Sequence, residues 1–268
     1  MPTISPEPPP ATEPHRHRQM AEGFGNDAER YDRTRPRYPD ELVQRIVRAA
    51  PGTDVLDVGC GTGIAARQFQ TAGCTVLGVE PDARMACFAR ERGLEVEVAT
   101  FEDWAANGRT FDTVIAAQAW HWIDPRAGAA KAAQVLRPGG RLAIFWNAFN
   151  LPEPITQALA EVYRRVVPDS PINFQDRRPP REMYAMMAAR TVEGATTAGG
   201  FGDVEQFEID WRQAYTKAEW LDMMPTQGIL TQLPQDKLAE VLAHVGAAIP
   251  ADGFTMNYTA VALILPRA

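Results

Sequence analysis

The chain has 268 residues, 45% hydrophobic and 23% charged, with a formal charge of −7; this length suits one large domain or two small ones, with a core that needs no metal or disulfide staple. Acids outnumber bases 34 to 27, which argues against a sequence-independent nucleic-acid binder. Cys60, Cys74 and Cys87 show no metal-ligand spacing and read as reduced thiols of a cytoplasmic protein, and no apolar run nears the ~18 residues of a membrane span.

Residues 1–19 hold prolines at 2, 6, 8, 9, 10 and 14 and the run His15-Arg16-His17-Arg18. With no apolar h-region they read as a flexible tail, neither a secretory signal nor a metal site. One domain is expected over 20–268. Asp40 can cap a helix over 41–50 that places Leu42, Val43, Ile46 and Val47 on one face. The apolar run 54–58 reads as a buried strand. After a glycine loop come a helix over 64–72, a strand at 75–79, a helix over 82–92 and a strand at 95–99. A strand at 111–116, a helix over 125–135 and a strand at 140–146 follow. This alternation predicts a parallel sheet with helices on both faces.

Beyond Asn147 the rhythm breaks. Helical patterns over 155–167 and 181–189, separated by proline-rich turns, make 151–200 a candidate helical lid. Within it Arg177, Arg178 and Arg181 read as a solvated charged face, and Met183, Met186 and Met187 as a helix stripe packed in the core. A strand at 204–213, a helix to about 249 and a strand at 254–265 complete the pattern. The expectation is an α/β, Rossmann-like, seven-stranded and mostly parallel sheet with an antiparallel edge and a helical lid insertion.

Val55-Leu56-Asp57-Val58-Gly59-Cys60-Gly61-Thr62-Gly63 joins the first strand to a helix. Glycines let backbone turn tightly and approach a ligand, and a helix start offers free N–H groups. Glu80 ends the second strand, where a carboxylate can accept both hydroxyls of a ribose. The spacing differs from the dinucleotide fingerprint G-x-G-x-x-G, which needs a glycine or alanine at Ile64. Asp57, two residues before the first glycine, would repel a pyrophosphate but suit a zwitterionic amino acid bearing a sulfonium. The charge pattern favours S-adenosylmethionine over NAD.

These residues resemble the first motif of the class I S-adenosylmethionine-dependent methyltransferases, and Gly78-Val79-Glu80-Pro81-Asp82 resembles the second. The similarity runs over about 20–147, through Phe111-Asp112-Thr113-Val114-Ile115 and Leu136-Arg137-Pro138-Gly139-Gly140. It is nearest to small-molecule methyltransferases of the trans-aconitate and ubiquinone-biosynthesis type. These share an opening like Tyr31-Asp32-Arg33-Thr34-Arg35-Pro36-Arg37-Tyr38-Pro39 and a loop like Gln118-Ala119-Trp120-His121-Trp122. The resemblance implies that Gly59, Gly61 and Gly63 approach the methionine and ribose, and that Asp57 holds the loop near the methionine amine. Glu80 would bind the ribose, Phe101 and Glu102 would flank the adenine, and Gln118 would offer a carbonyl near the amine. Thr100 stands where many relatives carry an aspartate that bonds the adenine amine, with Glu102 or Asp103 as its replacements.

Methyl transfer from a sulfonium needs mainly alignment of a nucleophile and exclusion of water. His121 is the candidate base or acceptor contact, because its ordinary pKa lies near neutrality, whereas His244 in a late helix reads as structural. Tyr31, Arg35, Trp120, Trp122 and Trp146 are candidates for the acceptor pocket: tryptophans can box a cation or wall off an apolar group. Arg35 can fork onto a carboxylate of cofactor or substrate. The expected partner is a small molecule, not nucleic acid or a membrane. Two alternatives stay open: an NAD(P)-dependent oxidoreductase, disfavoured by the glycine spacing and the lack of an evident Tyr-x-x-x-Lys, and a non-catalytic S-adenosylmethionine-binding protein.

Overall fold

Val55, Leu56 and Val58 on one strand and Val114, Ile115 and Ala116 on another are almost fully buried, as strands covered on both faces must be. They occupy the middle of a seven-stranded sheet: β1 (Asp54–Val58), β2 (Thr75–Glu80), β3 (Glu95–Val98), β4 (Phe111–Ala117), β5 (Leu136–Asn150), β6 (Glu205–Tyr215) and β7 (Phe254–Pro266). A computed structural model of the protein describes residues 23–168, 170 and 180–268. The tail 1–19, Arg177, Arg178 and the Arg181 side chain lie outside the described residues. The strand order is β3-β2-β1-β4-β5-β7-β6. The first five strands pair in parallel, and β7 runs antiparallel to both β5 and β6.

Nine helices lie among the described residues: α1 (Ala28–Thr34), α2 (Asp40–Ala49), α3 (Ile64–Thr71), α4 (Ala83–Glu91), α5 (Pro125–Val135), α6 (Glu153–Val166), α7 (Pro180–Ala198), α8 (Lys217–Met223) and α9 (Gln235–Ala248). The strand period of two sorts side chains onto two faces. Val55 and Val76 point to a core shared with Leu42 and Ile46 of α2 and Ala66 and Phe69 of α3. Leu56 and Leu77 point to the other, shared with Ala129 and Ala132 of α5 and Tyr184 and Ala188 of α7. A third core joins Ile155 and Val162 of α6, Trp220 of α8 and Val241 of α9 to Met256 and Tyr258 of β7. Among the described residues no helix is long and apolar enough to cross a membrane.

The alternating elements lie where periodicity put them, within a few residues. Three differences matter for the site. First, β5 runs from 136 to 150 rather than 140–146, because β7 pairs with it as far as Asn150 and Asn257. Second, α1 and the 3-10 turn Gly23–Asp27 before it have no sequence counterpart. α1 buries no residue fully, so it lacks the apolar stripe by which a helix is read. Third, α8 was not expected, although its Thr216/Glu219 capping box stands in the sequence. The order reverses between β1 and β4, and there the carboxyl ends of the strands leave a crevice.

Candidate active site

The glycine loop fills one side of that crevice. Gly59, Gly61 and Gly63 all have positive φ, at 66°, 55° and 85°, which an L side chain rarely adopts. A Cβ on Gly59 would come within 2.7 Å of the Ala119 Cβ, so this glycine lets the β1 and β4 loops touch. A Cβ on Gly61 would meet nothing within 4 Å and would project into open space. Glu80 braces the loop: one carboxylate oxygen accepts from the Gly61 N–H at 2.8 Å and the other from the Asp82 N–H at 2.9 Å. Burial pushes the Glu80 carboxyl up to about 7.

Asp57 is wholly buried; the Ala66 N–H in the first turn of α3 favours its charged form, yet neither of its oxygens has a hydrogen-bond partner of normal geometry among the described residues. Burial, helped by the charge of Glu80, raises it from 3.8 to about 7. Native structures seldom leave a buried carboxylate unpartnered, and such a group points to a cationic or donor ligand. It faces a cavity of about 80 Å³ that is also bordered by Gly59, Gly61, Gln118, Tyr31, Arg35 and Tyr38.

The cover of this cavity comes from both ends of the chain. α1 and the extended stretch after it supply Tyr31, Arg35 and Tyr38, and the end of α8 and the turn beyond supply Met223 and Gln227. The two halves are tied across the gap. Asp222 accepts ion pairs from Arg30 at 3.2 Å and Arg33 at 2.7 Å, and Arg35 Nη2 donates to the Thr226 carbonyl. The cover is also tied to the glycine loop, since Arg67 donates to the Thr62 carbonyl at 2.6 Å and to the Asp32 carboxylate of α1. No described residue of 151–200 lines the cavity; α6 belongs to the third core and α7 packs on α5 and β5.

Comparison with known proteins decides what such a crevice serves. Residues 56–144 match the methyltransferase domain family. An uncharacterized methyltransferase of Mycobacterium tuberculosis is 28% identical over 254 residues, covering 91% of this chain and 95% of that one. A putative type II methyltransferase from Anaeromyxobacter dehalogenans has the same fold, with a TM-score of 0.60 and 24% identity over 87% of this chain and 97% of that one. A Haemonchus contortus phosphoethanolamine N-methyltransferase 2, solved with phosphomonomethylethanolamine and S-adenosylhomocysteine, matches at a TM-score of 0.51 and 18% identity, over 97% of this chain and 61% of that one. The chain is an S-adenosylmethionine-dependent methyltransferase. Its cofactor is S-adenosylmethionine, and the dehydrogenase reading is set aside.

The residues of the methyltransferase fit that cofactor: the Gly61 cradle and the orphaned Asp57 carboxylate lie side by side at the crevice. Gln118 holds its own loop. It adopts a left-handed φ of 56°, which a non-glycine residue reaches only when held. Its N–H donates to Phe145 O at 2.9 Å, its side-chain oxygen accepts from the Asn147 N–H at 2.9 Å, and its amide donates to the Tyr184 hydroxyl at 2.8 Å.

The other sequence candidates are scattered around this centre. Phe101 is buried 6.4 Å from the Trp120 ring. The Glu102 carboxylate accepts from the Asp124 N–H at 3.1 Å and so pins the loop after β4. Asp103 is exposed and accepts from the Thr100 hydroxyl at 2.7 Å. Trp120 and Trp146 are core residues, 2% and 0% exposed, and line no part of the cavity. The His121 and Trp122 rings pack at a tilt of 46° with centres 4.8 Å apart, also off the cavity lining. Burial lowers His121 to about 4, so it is neutral at physiological pH, and its Nδ1 has no partner among the described residues. His244 lies 3.4 Å from Glu161, between α9 and α6. Sequence reasoning missed Met223, Gln227, Phe149 and Tyr258 of the cavity wall. Only Tyr31 and Arg35 of the expected acceptor residues reach it.

Proposed function

We propose that the methyltransferase acts on a small organic acid and transfers the methyl group to a carboxylate oxygen. One observation carries this reading: among the described residues the lining supplies no group suited to deprotonate an acceptor. Tyr38 and Tyr258 hold their protons, since burial raises both well above the ordinary value. The imidazole of His121 lies elsewhere. Asp57, the carboxylate on the wall, is the natural partner of the cofactor's ammonium. A hydroxyl nucleophile would have to lose its proton to something. A carboxylate arrives ionised at neutral pH and needs none.

The cofactor supplies a methyl carbon on a sulfonium, which leaves as a neutral thioether. The protein's part is alignment and dryness. The acceptor oxygen forms the new bond to carbon as the carbon–sulfur bond breaks, the electron pair stays on sulfur, and no proton moves. Tyr31, Phe149, Met223 and Tyr258 give a largely apolar wall, and the Tyr258 hydroxyl is taken up by the Tyr215 hydroxyl at 2.7 Å. Closure by α1 and α8 excludes water, and orientation alone contributes roughly 7–11 kcal/mol in such reactions. A void of about 80 Å³ is smaller than the roughly 300–1,000 Å³ of ligand sites, so the cover has to open for entry. Cys60 and Cys74 are buried, unbridged thiols, in keeping with a cytoplasmic enzyme.

The test is S-adenosylhomocysteine release with matched acids, alcohols and amines, for example phenylacetate, 2-phenylethanol and phenethylamine and their aliphatic counterparts. Turnover confined to the acids, with label released as methanol by mild alkali, supports ester formation. Turnover of alcohols or amines with the acids inert overturns it.

A further inference from the structure

We propose that a recess on the outer side of the cover binds a compact oligophosphate group, free or carried by an organic molecule, and that its occupation holds the cover shut. The site rests on neither the acceptor nor the reaction; only its coupling to the cavity rests on the cofactor.

The chain supplies the charge locally. Arg33, Arg35 and Arg37 fall in one short stretch of a protein whose net charge is −7. Arg33 lies in the last turn of α1, and beyond Thr34 the backbone becomes extended at Arg35, with φ −67° and ψ 139°. The steps Arg35-Pro36 and Tyr38-Pro39 favour that conformation, since a residue before proline avoids the helical region. In extended backbone a spacing of two puts Arg35 and Arg37 on one side. All three arginines line a recess of about 380 Å³, bordered also by Trp211 and Gln213 of β6. That volume lies within the roughly 300–1,000 Å³ of ligand sites.

Among the described residues no acid lines the recess. Arg33 reaches Asp222, outside the lining, at 2.7 Å, and Arg35 donates to the neutral Thr226 carbonyl. The Arg37 guanidinium is exposed and has no ion pair or hydrogen bond among the described residues. Of the acids nearest in the chain, Asp32 accepts from Arg67, and Asp40 is exposed at the start of α2. Guanidiniums converging with so little compensation repel one another and draw an anion of high charge density. Their planar forks match phosphate oxygens in pairs, and three of them offer more donors than a single phosphate uses. Trp211 is a fixed part of the wall: its ring stacks on Tyr258 with centres 4.4 Å apart, and Nε1 donates to Asn147 at 3.2 Å. Its half-buried indole offers a surface to an organic group.

The recess lies between two bodies. The arginines belong to the cover, whereas Trp211 and Gln213 belong to the sheet. Arg35, Pro36 and Tyr38 line both the recess and the cofactor cavity. Lifting the cover splits the recess, so a ligand that fills it favours the closed state. By linkage it binds more tightly when the cofactor favours that state too.

The experiment is calorimetric, with inorganic pyrophosphate titrated into the full chain at constant ionic strength, with and without saturating S-adenosylhomocysteine. Wild type is expected to bind pyrophosphate with a Kd below about 1 mM. Arg37→Gln weakens binding at least tenfold, while Arg212→Gln, which removes an exposed arginine on the opposite face of β6, leaves it within twofold. Arg37 has no partner to lose, and melting curves check that both variants are folded. Adenosine diphosphate, titrated with S-adenosylhomocysteine in place, separates the two sources. Tighter binding than pyrophosphate assigns an organic phosphate resting on Trp211; equal or weaker binding assigns the bare diphosphate group. Pyrophosphate should bind several-fold more tightly with S-adenosylhomocysteine present and slow its release. No binding by wild type, or equal weakening by Arg37→Gln and Arg212→Gln, would overturn the site. Affinity indifferent to S-adenosylhomocysteine would overturn the coupling. S-adenosylhomocysteine that fails to bind refutes the cofactor reading and the coupling, while pyrophosphate alone still decides the site.

Discussion

Replacing Asp57 by asparagine separates what this carboxylate does for the ligand from what it does to the fold. In the fold it is buried, without a hydrogen bond of normal geometry, and raised from 3.8 to about 7 by burial and then by Glu80, against the opposing pull of the Ala66 N–H. Between those values the folded chain holds a proton that the unfolded chain has released. Stability from this group is therefore full below about pH 4 and is lost as pH rises through about 7. At about 1.4 kcal/mol per tenfold change in proton affinity, the ionised group costs the fold roughly 4 kcal/mol at pH 8. The asparagine amide, left without partners, costs about 1–3 kcal/mol of its own. The net expectation at pH 8 is a gain of about 2 kcal/mol, or roughly 4–8 °C in Tm for a chain of this size. At pH 4.5 wild-type Asp57 is protonated and the gain disappears. Scanning calorimetry of both proteins at pH 4.5, 6 and 8 measures the difference. The same substitution should weaken S-adenosylhomocysteine binding at pH 8 at least tenfold, about 1.4 kcal/mol. A Tm difference independent of pH, or a variant less stable than wild type at pH 8, would refute the reasoning.

The two glycines make a contrasting pair. Gly59→Ala drives a methyl group against Ala119 and should destabilise the fold by several kcal/mol, whereas Gly61→Ala meets open space and should cost only about 1–2 kcal/mol of backbone strain while reducing cofactor affinity more than tenfold; melting curves with calorimetry tell the two apart. Arg67→Ala cuts the tie between Asp32 of the cover and Thr62 of the loop, and faster trypsin cleavage at Arg30 and Arg33, with several-fold faster S-adenosylhomocysteine release, is the expected result. His121 is neutral above about pH 4, so kcat at saturating cofactor should show no acid limb near pH 6.5 that disappears in His121→Ala; such a limb would make His121 the base.

Much of this enzyme is written locally. The glycine triplet, Asp57 before it and Glu80 at the next strand end stand within one short βαβ unit, so spacing along the chain fixes their spacing in space. The buried strands and their helices were legible for the same reason, since each buries a face that its own periodicity announces. The cover was not legible. α1 shows no apolar stripe because it is held by ion pairs from Arg30 and Arg33 to Asp222, 189 residues from Arg33 along the chain. Trp120 and Trp146 illustrate the opposite error, because aromatic side chains at strand ends look alike in sequence whether they turn to a cavity or into a core.

By itself the sequence determined the α/β alternation, the glycine loop and the acids that receive a nucleoside bearing an amino acid. Only the tertiary structure decided which segments close over the loop, that Arg35 faces Asp57's cavity, and that His121 stands apart from it. The physical reason is range. Turn chemistry and periodicity act between neighbours in the chain, whereas a closed pocket is made by contacts between its distant ends, which leave no periodic trace.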